Sequence, residues 1–198
     1  MNFDLLVEGP TDEALGRRLL GATGHTAGVC FGRRGCTFIQ QKIQAYAQRA
    51  RFGAPLLAMV DLMDFEHECP PTLATALISD KPEMMILSVA VRELESWILA
   101  DRQGIADLLR VSVALVPNYP ETLPDPKRAL IDLARRSRRA QVRETFVPPP
   151  GASASTGPGY ALEIQKFVAG TWDFNRARAA SPSLDRCLAR LQEMARAR

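Results

Sequence analysis

Apolar residues along this chain fall into two kinds of pattern. Short continuous runs, bounded by Gly, Pro or acidic residues, occur at Phe3–Val7, Pro55–Val60 and Met84–Val91, with a weaker run at Gly28–Phe31. Runs of that length read as strands buried on both faces. The segments between them have helical periodicity. Leu15, Leu19 and Leu20 form an inward stripe on a helix that Pro10 can open, with Asp12 and Glu13 at the positive end of its dipole. Ile39, Ile43, Tyr46, Ala47 and Ala50 share one face of a helix over Thr37–Arg51, and a short helix is expected over Thr72–Ile78 behind Pro70 and Pro71. This alternation predicts an α/β class with a mostly parallel sheet flanked by helices.

The pattern changes after residue 125. A helix is expected over Pro126–Val142, with Leu130, Leu133 and Ala134 inward, followed by a Pro-, Gly- and Ser-rich mobile loop within 146–159. Two more helices are expected over Tyr160–Ala169 and Leu184–Ala197, the last capped by Ser181 or Ser183. The predicted organisation is an α/β domain over 1–125 and a helical C-terminal extension over 126–198. No internal repeat is visible.

Composition narrows the class. At 198 residues, 46% apolar and 24% charged, the chain suits a soluble globular protein large enough to bury a core without staples. Cys30, Cys36, Cys69 and Cys187 show no Cys-x-x-Cys pairing and no zinc-finger spacing, so reduced thiols are expected. Asp4 and Glu8 interrupt the first apolar run, so no signal peptide is expected there, and no apolar stretch approaches the ~20 residues of a membrane span. A cytoplasmic location is expected.

The chemistry-bearing residues lie at strand ends. Leu5-Leu6-Val7 runs into Glu8-Gly9-Pro10-Thr11-Asp12, and the third strand runs into Asp61-Leu62-Met63-Asp64. In a parallel sheet the carboxyl ends of the strands share one edge, where ligands bind. Carboxylates converging there repel unless a hard cation such as Mg²⁺ or Mn²⁺ lies between them. Glu8 has little structural purpose at the end of a buried strand. Asp12 has two readings, a metal ligand or a charge on the first turn of a helix. Glu93 and Glu95 follow the fourth strand: on extended backbone they share a face, whereas on a helix they diverge by about 200° and only one reaches the site. His25 and His67 lack the partners for zinc or a triad, and no P-loop motif is present.

The net charge of +3 is unevenly spread. Lys127, Arg128, Arg135, Arg136, Arg138, Arg139 and Arg143 face Asp132 alone. Arg128, Arg135 and Arg139 would form a stripe opposite Leu130 and Leu133 on one continuous helix. Such a stripe beside an acidic pocket suits a phosphate backbone, and the alternative is an ordinary solvated helix face. Gly32-Arg33-Arg34-Gly35 is a second basic turn able to touch phosphate.

Glu8-Gly9 after a strand, with an Asp closing the third strand, resembles the TOPRIM domain, the metal-binding module of topoisomerases, primases and nucleases of the overcoming-lysogenization-defect (OLD) type. Asp12, four residues after the glutamate, looks more like the OLD-type nucleases. The longer set of Val7–Asp12, Arg92–Asp101, Asp125-Pro126-Lys127 and Ser181-Pro182-Ser183-Leu184 is similar to small stand-alone bacterial TOPRIM-like proteins, often encoded beside ABC- or AAA-type ATPases in phage-defence settings. TOPRIM domains carry Asp-x-Asp on the third strand. Here the order is Asp61-Leu62-Met63-Asp64, so either Asp64 reaches the metal or Glu93 or Glu95 replaces that ligand. The resemblance implies a Mg²⁺- or Mn²⁺-dependent nuclease acting on DNA or RNA. Its catalytic groups would be Glu8, Asp12, Asp61, Glu93, Glu95 and Lys127. Its metal ligands would come from Glu8, Asp12, Asp61, Asp64, Glu93 and Glu95. Arg33, Arg34, Arg128, Arg135 and Arg139 would bind nucleic acid. The rival reading is a metal- and nucleic-acid-binding subunit that is inert until a partner ATPase engages it.

Overall fold

The computed structural model describes residues 1–196. Four strands, β1 (Asn2–Val7), β2 (Thr26–Gly32), β3 (Leu56–Asp61) and β4 (Met85–Ala90), form one sheet in the order β2-β1-β3-β4. All three pairings are parallel, with Leu6 level with Ala58 and Asp61 level with Ala90. The chain is therefore α/β with a parallel sheet, as its alternating pattern predicts. Helices α1 (Pro10–Ala22), α2 (Cys36–Arg51) and α3 (Pro70–Leu77) supply the crossovers.

Alternation of side chains divides the strands between two faces. Leu6, Ala58, Val60, Leu87 and Val89 pack with Ile39 and Ile43 of α2 and Leu73 and Leu77 of α3. On the opposite face α1 approaches closely, with Gly16 against Leu5 and Met59. Helix α10 (Pro182–Arg196) returns to β4 and buries Leu184, Cys187, Leu188 and Leu191. The sequence places its end at Ala197, which lies outside the described residues.

The chain divides into two compact units at Leu94, not at Asp125. Unit one contains Met1–Leu94 and takes back the chain from Pro182 onward, because the apolar face of α10 is covered by β4. Unit two, Glu95–Ser181, is helical: α4 (Glu95–Ala100), α5 (Arg102–Leu109), α6 (Pro126–Arg135), α7 (Ala140–Phe146), α8 (Tyr160–Gly170) and α9 (Phe174–Arg178). Helix α4 is buried along its whole length, including Trp97, and packs against α6 and α9.

The single helix expected over Pro126–Val142 is two helices. Ser137 makes the corner: its N–H donates to the Ala134 carbonyl (3.0 Å), its hydroxyl accepts the Arg139 N–H (3.2 Å), and its carbonyl accepts Arg143 Nη1 (2.6 Å). Serine competes with the helix for backbone partners in this way. The expected loop before α8 carries no helix or strand. It closes back on α7 through the Gly157 N–H to the Phe146 carbonyl (2.8 Å) and the Gly159 N–H to the Thr145 carbonyl (3.0 Å).

Candidate metal centre at the sheet edge

In the order β2-β1-β3-β4, the connection leaving β1 turns towards β2 and the one leaving β3 turns towards β4. The carboxyl ends of β1 and β3 are thus the topological switch point, where a crevice opens in sheets of this kind. Glu8 and Asp61 stand at those two ends. The Asp61 N–H approaches Glu8 Oε1 at 3.5 Å, while the Asp61 carboxylate accepts the Leu94 N–H at 2.8 Å. One Asp61 oxygen thereby also ties β3 to the residues following β4.

Glu8 also meets Asp64 and Cys36. Ligand atoms of these three residues all lie within 4.8 Å of one another. Local backbone explains the convergence. Asp64 ends a short 3-10 turn (Leu62–Asp64) directly after β3, held by the Met63 N–H to the Arg92 carbonyl (3.1 Å). Cys36 opens α2, and the preceding Gly35 N–H donates to the Glu8 carbonyl (3.1 Å), which draws the start of α2 to the end of β1. The sequence pattern marks Cys36 as a reduced thiol and not as a ligand. Its signal was position: it follows β2, so it occupies the same sheet edge as the acids following β1 and β3.

Burial raises the Glu8 carboxyl from its ordinary 4.5 to about 8, helped by the adjacent Asp64 charge and a hydrogen bond to Asp64, with Asp12 adding in the same direction. The Asp61 N–H opposes this only in part. A protonated Glu8 donating to Asp64 relieves the repulsion that a cation would otherwise relieve.

Both readings of Asp12 involve the same place. Its Oδ2 accepts the Gly9 N–H at 2.7 Å at the start of α1, and its charge acts on Glu8. Glu93 is buried in unit one at the end of the β4 connection. Glu95 and Lys127 lie in unit two, where Lys127 Nζ stands 3.3 Å from Glu95 Oε1 and the Tyr160 hydroxyl donates to the same oxygen at 3.1 Å. The two-residue step from Glu93 to Glu95 crosses into α4, so they do not share one extended face.

Of the basic candidates, Arg33 takes a left-handed backbone (φ 58°) and pairs with Glu13 (3.3 Å), and Arg34 lies over the Phe38 ring at 5.5 Å. Arg92 was not anticipated. It is exposed, left-handed (φ 70°), and follows β4 beside the Asp64 turn through its carbonyl. The predicted stripe of Arg128, Arg135 and Arg139 does not form: Arg128 and Arg135 both pair with Asp132, and Arg139 lies beyond the corner, before α7.

Gly32 sets the level of this edge. It has φ +94°, and a Cβ there would collide with the Val7 carbonyl, directly before Glu8. Gly32→Ala should cost about 1–3 kcal/mol in denaturant unfolding, from overpacking and backbone strain together. An unchanged midpoint would show that the β1–β2 end yields freely.

The four cysteines are unpaired, and among the described residues no helix is long and apolar enough to cross a membrane. Comparison of the chain with protein-family models, curated proteins and solved structures finds no match.

Proposed function

We propose that the protein is a divalent-metal-dependent phosphodiesterase acting on nucleic acid, with its metal centre at Glu8, Asp64 and Cys36. The observation that carries this reading is the meeting of these three ligands at the switch point of the sheet, where burial and the neighbouring Asp64 charge raise the Glu8 carboxyl to about 8. The donor set fits a first-row divalent ion. Two carboxylates suit Mg²⁺ or Mn²⁺, and the added thiol favours the softer Mn²⁺. A bound divalent ion supplies Lewis-acid polarisation of the phosphodiester and charge neutralisation in its transition state.

The surrounding residues hold and orient. Asp61 fixes the crevice wall through Leu94, and Asp12 fixes the turn after Glu8. Arg33, Arg34 and Arg92 sit at the ends of β2 and β4 with guanidinium groups suited to phosphate oxygens.

Purified protein incubated with plasmid, single-stranded DNA and RNA is expected to cleave in Mn²⁺ faster than in Mg²⁺. Cys36→Asp should reverse that order by giving the site an all-oxygen donor set. Asp64→Asn should lower the rate by about 10²-fold or more, the scale of losing a principal charge-stabilising group. Cleavage indifferent to both substitutions, or no cleavage in either metal, ends the reading.

The position of Asp61 favours a second reading. With one of its oxygens committed to Leu94, the site offers ligands for one cation more readily than for the two of a paired-metal nuclease. A one-cation site suits a nucleic-acid-binding subunit activated by a partner ATPase of the ABC or AAA type, since the chain has no P-loop of its own. Under this reading the isolated protein binds Mn²⁺ calorimetrically without cleaving, and cleavage appears only in the co-purified complex.

A further inference from the structure

Unit two carries a second group of arginines in a different electrostatic state from those on α6. Arg128 and Arg135 are occupied by Asp132. Arg110, Arg136, Arg138 and Arg139 are all exposed, and among the described residues none of them is paired with a carboxylate. They line two clefts of about 460 and 530 Å³ that adjoin at Arg110, and no acidic residue contributes to either wall.

The backbone beneath these arginines is fixed. The Ser137 corner turns the chain between α6 and α7, so Arg136, Arg138 and Arg139 project from a locked bend rather than from a helix face. Across the cleft, Arg102 holds the turn after α5, with Nε on the Val116 carbonyl and Nη2 on the Val113 carbonyl, both at 3.1 Å. The conformation of Arg110 supplies an independent argument. It closes α5 in the left-handed region (φ 55°, ψ 46°), with the Val111 N–H returning to the Ala106 carbonyl at 3.0 Å. Glycine is the favoured residue at such a helix end, because any side chain there is strained. The chain places an arginine there, at a cost in backbone energy, in the wall shared by both clefts.

We propose that this α5–α6–α7 corner binds the phosphodiester backbone of a nucleic-acid strand, with Arg110 between two successive phosphate positions. Guanidinium groups bind phosphate bidentately, and two adjoining open clefts suit a repeating polyanion better than one enclosed anion. Charged lining in both clefts is arginine alone, and arginine contacts to phosphate position a strand without reading its sequence, so binding is expected to depend little on sequence. The site stands on unit two alone, and its test is independent of cleavage.

The test is anisotropy with labelled strands of about 20 nucleotides, as single-stranded DNA, duplex DNA and RNA, in EDTA across a salt series. Arg136→Ala with Arg138→Ala should lower the slope of log K against log salt by about 1.4 on a single strand, and affinity by about 25-fold near 0.1 M salt. The charge-matched pair Arg128→Ala with Arg135→Ala should weaken binding by less than about 3-fold, since those two guanidinium groups share the Asp132 carboxylate and line neither cleft. Arg110→Gly should reduce affinity by about 5-fold while leaving the thermal midpoint unchanged or raised. Equal losses in the two double variants would mean that net charge alone attracts the strand, and would overturn the site. Absence of binding by the unaltered protein would overturn it as well. Displacement of the strand by equimolar inorganic phosphate would replace it with a small-anion site. Loss of cleavage with intact binding in EDTA would bear on the metal centre and not on this corner.

Discussion

Glu8→Gln is expected to stabilise the metal-free protein above pH 8 while removing Mn²⁺ binding and any cleavage that depends on it. The sign follows from the raised carboxyl. With a folded value of about 8 against an ordinary 4.5, the native state holds more protons than the unfolded state between those two pH values. Stability therefore falls as pH rises through that window, and the loss is complete above about 8. Discounted for the partial exposure of Glu8, the effect is on the order of 1–3 kcal/mol. Glutamine keeps the shape and cannot ionise, so the variant's unfolding free energy should be flat over the same window.

Metal binding has the opposite pH dependence, because the cation displaces the Glu8 proton. Calorimetric titration with Mn²⁺ near pH 7, repeated in buffers of different ionisation enthalpy, should report release of close to two protons per ion, one from the Glu8 carboxyl and one from the Cys36 thiol. In Glu8→Gln both the heat and the proton release should vanish. A centre that is less stable empty than neutralised is the expected cost of holding ligands in place for an ion. If the variant is less stable than the parent at high pH, Glu8 is a structural carboxylate with a satisfied environment. If it still binds Mn²⁺, the ligands lie elsewhere.

How much of this was legible in the sequence depended on burial. β1, β3 and β4 are covered on both faces, so their apolar runs are continuous and easily recognised. β2 is an edge strand with no fully buried residue, and its sequence, Thr26–Gly32, has neither a continuous run nor clean alternation. The break between α6 and α7 depends on Ser137 using its side chain and both backbone groups, which helical periodicity cannot register. The return of α10 to β4 is a long-range docking: its apolar stripe was readable, but its partner was not.

At the site, strand-end position alone located Glu8, Asp61 and Asp64. It did not show that the Asp61 carboxylate would be taken by Leu94, because that depends on where the chain runs after β4. Cys36 was legible as a thiol but not as a ligand, because the strand before it, β2, has the weakest pattern in the sequence. The basic segment was correctly seen as rich in arginine but wrongly divided, since Asp132 selects Arg128 and Arg135 and the corner redirects the rest.

The largest loss of stability is expected from removing the arginine partner of Asp101, a residue the sequence marked only within the resemblance and not as a site. It is fully buried and accepts four hydrogen bonds: from the Gly104 N–H (3.1 Å), the Asp173 N–H (2.8 Å), Arg176 Nε (2.7 Å) and Arg176 Nη2 (3.0 Å). One carboxylate thereby caps α5, holds the turn before α9 and takes a bidentate arginine. The two partners differ in surroundings, since the Arg176 side chain is 48% exposed and that of Asp101 is 0% exposed. Removing Arg176 leaves a buried carboxylate with only backbone donors, whereas removing Asp101 leaves a guanidinium that water can solvate.

Arg176→Ala should therefore cost about 3–5 kcal/mol, the range for stranding a buried charge. Asp101→Ala should cost less, about 2–3 kcal/mol, chiefly from the two backbone N–H groups left unsatisfied. The double variant should be more stable than Arg176→Ala alone, because it removes the stranded charge. Urea unfolding of the three variants tests the order. Additive losses, or a milder effect from Arg176→Ala than from Asp101→Ala, would mean that water reaches the carboxylate and that Asp101 acts as a helix cap rather than as the anchor of unit two.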